Sequence, residues 1–166
     1  MMRTNKGFSL IELLIVVAII LIIAAIAIPN LLRARIASNE AAAASGIRTI
    51  NTGEAAYSSS YPMTGYSTTL AQLGPGGVAA ACPSPPTTTN ACVIDGVLAA
   101  GLKQGYTFTY TPGAGLPMPT YSIISAPVQP NQTGVRSFCS FEDGVVRYQP
   151  SGAIAACNST VAALGQ

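Results

Sequence analysis

Residues 8–28 read FSLIELLIVVAIILIIAAIAI, a stretch of 21 positions that is apolar apart from Ser9 and Glu12. Coiled as a helix at about 1.5 Å per residue, it is about 32 Å long, enough to cross a hydrocarbon core of roughly 30 Å. Residues 1–7, Met-Met-Arg-Thr-Asn-Lys-Gly, are short, polar and basic. That start, the apolar core and Ala25-Ile26-Ala27 as an A-x-A site fit part of a secretory signal peptide. Against it, the uninterrupted apolar run from Leu13 to Ile28 has 16 residues, where signal cores have about 7–15. Neither a signal peptide nor an inert anchor has any use for Glu12. An unpaired acid costs about 2.5–3.5 kcal/mol at mid-membrane on insertion scales, and an intramembrane acid is a functional hypothesis by default.

Lys6-Gly7-Phe8-Ser9-Leu10-Ile11-Glu12-Leu13 resembles the type III signal of type IV prepilins and of their pseudopilin relatives. The resemblance is strong over roughly the first 60 residues and holds only in outline beyond. It implies that Gly7 is the last leader residue, read by a prepilin peptidase. It implies that Phe8 becomes the new, N-methylated terminus, and that Glu12 guides assembly. The seven-residue leader and Phe8 look like the type IVa branch. One departure is Leu21, which stands where many relatives carry a glycine that lets the helix stretch, so any local melting must rely on Pro29.

Cutting before Phe8 leaves an α-amine at the membrane edge, largely cationic with a reference pKa near 7.7–8.0. Glu12 lies four residues on, so pairing within one helix is possible. In a stack of parallel helices, Glu12 of an incoming copy neutralises a neighbour's amine instead, and in apolar surroundings that partner matters most. Arg3 and Lys6 favour a cytoplasmic N-terminus, although Arg33 and Arg35 flank the other end.

Pro29 closes the apolar run and kinks or breaks a helix there. The pattern resumes: Ile36, Ala43, Ile47, Ile50 and Tyr57 form one apolar stripe, and Ala41 to Ala44 add helix propensity. Gly46 and Gly53 weaken it, with Gly53 placed near the helix end. The reading is one bent helix over 8–58, with 8–30 as transmembrane and fibre-core segment and 31–58 amphipathic.

Residues 59–105 read as a loop-rich connector, punctuated by Gly74-Pro75-Gly76-Gly77 and Pro83-Ser84-Pro85-Pro86, with a short turn at Leu70–Leu73. Such a loop offers an exposed contact surface. An antiparallel sheet of about four strands follows over 106–149. Tyr106 to Tyr110 alternates aromatics with threonines, Tyr121 to Ser125 is a second strand, and Val135–Phe141 and Val145–Tyr148 flank the hairpin signal Glu142-Asp143-Gly144. The fold class is α+β: a long helix packed on a small antiparallel sheet head.

The four cysteines lie in the polar half, none in a C-x-x-C pair. Two disulfides in an oxidising compartment are the natural reading, with a four-cysteine zinc site as the competing one. Of three possible pairings, Cys82–Cys92 and Cys139–Cys157 close the shortest loops, the second fastening a tail over 150–166. A C-terminal disulfide loop also looks like the pilin pattern more than that of most pseudopilins.

Charged residues are 8% of the chain and net charge is +2, all of the excess from Arg3 and Lys6. The near-neutral remainder lacks the basic footprint of a nucleic-acid binder. With no histidine, Ser-His, Cys-His and His-metal sites are excluded, and no enzyme, cofactor or metal centre is expected. Asp143 with nearby carbonyls is the one thinkable calcium contact. The resemblance implies a structural subunit of a type IV pilus, serving adhesion, twitching motility or DNA uptake. Its partners are copies of itself, the prepilin peptidase and the inner-membrane assembly machinery. It is stored in the inner membrane and then displayed outside the cell. The alternative is a pseudopilin, forming the periplasmic piston of type II secretion.

Overall fold

A computed structural model describes residues 8–165. The expected leader 1–7, Gly7 included, lies outside them. The chain divides into an N-terminal unit ending at Arg35 and a body beginning at Ile36. Helix α1 is Leu10–Ser60 and includes Pro29.

In the N-terminal unit no residue from Phe8 to Arg35 is buried. Among the described residues one helix, α1, is long and apolar enough to cross a membrane, and its apolar window lies near the N-terminus. In the body the predicted stripe turns inward: Ala43, Ile47, Ile50 and Tyr57 are buried and Ile36 is half-buried. The helix continues through Ser58-Ser59-Ser60 rather than stopping at 58, and their hydroxyls donate back to the carbonyls of Ala55 and Ala56.

The connector is more ordered than its composition implies. It holds a 3₁₀ turn at Leu70–Leu73, helix α2 at Gly96–Ala99 and strand β1 at Leu102–Lys103. Asp95 caps α2 by accepting from the Leu98 N–H at 2.9 Å. Val93 and Ile94 both donate to the Leu73 carbonyl, and Leu73, Ile94 and Leu98 enter the core. The exposed-loop reading therefore fails for this inner part, where backbone bonds and three aliphatic side chains hold it down.

The sheet has five strands, in the order β1-β2-β3-β4-β5, all antiparallel. Strands β2 (Tyr106–Pro112), β3 (Tyr121–Pro127), β4 (Ser137–Phe141) and β5 (Arg147–Gln149) follow β1. β1 turns into β2 through Gln104 and Gly105, with φ of 47° and 74°, the two left-handed residues of a tight hairpin. β4 begins two residues later than expected, because the Val135 and Arg136 N–H groups donate to Glu40. β5 begins late for a similar reason: the Val145 N–H donates to Asp143.

The core lies between the body half of α1 and the sheet, with Tyr106, Phe108, Ile123 and Phe138 facing Ile47 and Ile50. Gly46 and Gly53 are buried on that face. A Cβ on Gly46 would stand 2.8 Å from Cζ of Phe108, and one on Gly53 2.9 Å from Cγ2 of Ile94. Gly53 is thus an interior contact residue, not a helix end. After β5 the tail returns: Tyr148 N–H donates to Ala162 O, Leu164 N–H to Val146 O, and Ala163 bridges Arg147.

Candidate functional site

The N-terminal segment places Phe8 and Ser9 just ahead of α1, with Glu12 in its first turn. The Ser9 N–H donates to Oε2 of Glu12 at 2.9 Å, and the Leu13 N–H donates to Ser9 O at 3.2 Å. This is half of a capping box: a carboxylate in the first turn reaches back to an N–H that the helix itself leaves orphaned. The positive end of the helix dipole favours the same carboxylate. Glu12 is therefore held one peptide from Phe8, which is itself 77% exposed. From Leu10 to Leu32 the large apolar side chains are exposed without exception. An apolar surface of this extent marks a membrane or protein contact.

Pro29 stands elsewhere in the same helix and takes no part in this cluster. In the body, Cys82 is joined to Cys92 and Cys139 to Cys157. The second bond ties the tail to β4.

Two acids that the sequence reading passed over prove structural. Glu40 accepts from the N–H groups of Val135 and Arg136 at 2.9 and 3.0 Å, and from Nε of Arg136 at 2.7 Å. Burial works to raise the Glu40 pKa, but those donors and the Arg136 charge outweigh it and hold the carboxyl below its usual range. Glu54 is 0% exposed and accepts from the N–H and hydroxyl of Ser67. Beside it, burial and then the Glu54 charge push the Tyr110 and Tyr121 hydroxyls upward, and the two donate to Ser67 O and to Asn51 Oδ1 respectively. The signal for these acids was available: positions 40, 47, 50, 54 and 57 share one helical face, so the stripe included two acids.

Asp143 is not a free calcium ligand. Both its oxygens face Arg147, at 2.6 and 3.1 Å. Burial acts to raise its pKa, but Arg147 and the Val145 N–H prevail and lower it. Among the described residues no group of three or more His, Cys, Asp or Glu could hold a metal ion.

A helix opening on an exposed aromatic and a capped glutamate, then running apolar for its whole first part, defines a class. Residues 2–28 match the family model described as the prokaryotic N-terminal methylation motif. The relatives narrow the likeness to type IV pilins. The chain is 67% identical over 39 residues to the type IV wide pilus major component PilA4 of Thermus thermophilus, a match covering 24% of this chain and 30% of that protein. It is 46% identical over 53 residues to the type IV major pilin protein PilA of Myxococcus xanthus, covering 32% of this chain and 24% of that one. The matched part thus spans less than a third of either relative. No solved structure matches.

Proposed function

We propose that this protein is a structural subunit of a type IV pilus, stored in the inner membrane and polymerised through its N-terminal helix. The observation that carries this reading is the unburied apolar surface of residues 8–32, interrupted by a single carboxylate at Glu12, in the segment similar to pilins. Such a surface has two compatible surroundings, lipid and the same helix on other copies. The role of the subunit is to exchange one for the other.

Glu12 supplies the register. A prepilin peptidase cuts after Gly7, and Phe8 then carries a cationic, N-methylated amine. In the membrane the Glu12 carboxylate is satisfied by the Ser9 N–H of its own chain. A neighbour's amine offers it a full opposite charge, and in a low-dielectric fibre core that exchange is favourable and sharply dependent on position. The basic leader keeps the N-terminus cytoplasmic, so the disulfide-bonded body lies in the oxidising space beyond the inner membrane.

The test is carried out in the cells that make the protein. Surface filaments are purified, and the chain within them is expected to begin at methylated Phe8. Glu12→Val should leave the processed chain in the inner membrane and abolish filaments. Normal filaments from Glu12→Val, or a mature chain that starts upstream of Phe8, would refute this assembly mechanism. Wild-type chain found only in a periplasmic secretion complex would reassign it to the piston role.

A further inference from the structure

Two tripeptides in the body have the form Asn-X-Ser/Thr, in which an asparagine accepts an N-linked glycan: Asn131-Gln132-Thr133 and Asn158-Ser159-Thr160. The sequence ranks them equally, and the structure does not. Asn131 sits in the left-handed region at φ 64°, and its N–H donates to Gly134 O at 2.8 Å. The Thr133 hydroxyl turns away from it, donating to Gln129 O and accepting from the Gln129 N–H, both at 3.1 Å. The first motif is thus taken up in building a turn.

Asn158-Ser159-Thr160 is arranged differently. The Thr160 hydroxyl and the Thr160 N–H both donate to Oδ1 of Asn158, at 2.5 and 3.0 Å. The hydroxyl and the carboxamide that define the motif therefore stand together, while Nδ2 of Asn158 makes no hydrogen bond among the described residues. All three residues are exposed. They follow Cys157, whose link to Cys139 anchors the tail, and the Val161 N–H donates to Asn158 O, closing a surface turn. Beside them runs a groove of about 460 Å³, lined by Thr111, Thr120, Ser122 and Glu142 together with Asn158 and Ser159. Its volume falls within that of small-molecule sites, about 300–1,000 Å³, and its hydroxyls and carboxylate can exchange hydrogen bonds with sugar hydroxyls. The first sugars on Nδ2 would have room there.

We propose that Asn158 is an N-glycosylation site; this rests on the part of the reading above that places the body beyond the inner membrane. The donor class is a lipid-diphosphate-linked oligosaccharide, and the catalyst is a membrane transferase facing the same space. Nδ2 attacks the anomeric carbon and the bond from that carbon to the diphosphate oxygen breaks. The lipid diphosphate leaves with the electron pair, and one Nδ2 proton passes to a base of the transferase. The product is a bulky, solvated group on the surface, covering the turn next to Cys157.

Trypsin separates the two motifs, because cuts after Lys103, Arg136 and Arg147 leave Asn131 in 104–136 and Asn158 in 148–166. The full chain is taken from the inner membrane and from surface filaments of the native cells, reduced, digested and fragmented in a mass spectrometer. Peptide 148–166 should be heavier by whole sugar residues carried on Asn158, and Asn131 should carry none. Asn158→Gln and Thr160→Ala should each abolish the mass shift, Thr160→Ser should keep it, and Asn131→Gln should change nothing. An intact Cys139–Cys157 link in an unreduced digest shows that each variant has folded. Unmodified Asn158 in the wild-type chain overturns the site. So does sugar that persists on 148–166 after Asn158→Gln, or that sits on Asn131 instead. Glycosylated chain found in the membrane and never in filaments overturns the fibre reading and leaves the site standing, whereas filaments built of unmodified chain overturn the site alone.

Discussion

Glu40 and Glu54 are acids on the inward face of a helix, where a 3.6-residue period asks for apolar side chains. Each is tolerable because its oxygens meet fixed donors. Replacing Glu40 by Gln keeps the shape but removes the charge that binds Arg136. The loss should be about 2 kcal/mol, less than the 3–5 kcal/mol of a wholly buried pair, because the Arg136 side chain is 42% exposed. The Glu40 pKa is lowered in the folded state. Its contribution is therefore complete above the unfolded carboxylate value, near 4.3, and fades as pH falls through the folded one. Thermal melts of the full chain in detergent should show wild type and Glu40→Gln well separated at pH 7 and converging as the pH is lowered through the carboxylate range. A constant gap down to the lowest pH would mean that packing, not charge, is what the substitution removes.

Helix α1 shows how one element reads well at one end and poorly at the other. Its apolar start was legible as helix because the 16 apolar residues from Leu13 to Ile28 are too long a run for a strand, and Glu12 stood out as the one acid beside them. The stripe through Ile47, Ile50 and Tyr57 was legible by period. The glycines were not: propensity scales price Gly46 as a weakness, whereas its value lies in the Phe108 ring pressed against the backbone, a partner 62 residues away that no local rule sees. Likewise Gln104-Gly105 lacks the usual Asn-Gly signal, so β1 was read as connector. Ser45→Ala, at an exposed position on the same helix, should be neutral or stabilise by a few tenths of a kcal/mol. Gly46→Val should cost about 2 kcal/mol or more through overpacking and β-branching. Chemical denaturation of the two variants side by side distinguishes these accounts. Equal effects would mean that helix propensity alone governs the position.

On the scale of the whole molecule, stability is divided between a modest core and two covalent links. Cys139–Cys157 closes a span of 18 residues, worth about 3 kcal/mol in the chain-entropy model. Opening it by Cys157→Ser should lower the melting temperature and expose the tail to protease while leaving the rest of the sheet folded, as limited digestion with mass analysis would show. A tail that stays protected would mean that its backbone bonds to Val146 and Tyr148 suffice without the link. That tail has a second consequence. By lying along β5 it occupies the row of donors and acceptors that an outermost strand would otherwise offer to a stranger, and at the opposite margin β1 is only two residues long and ends in a lysine. The tail thus closes one flank to another polypeptide, and the other carries only a short strand ending in a charge, both of which disfavour edge-to-edge aggregation.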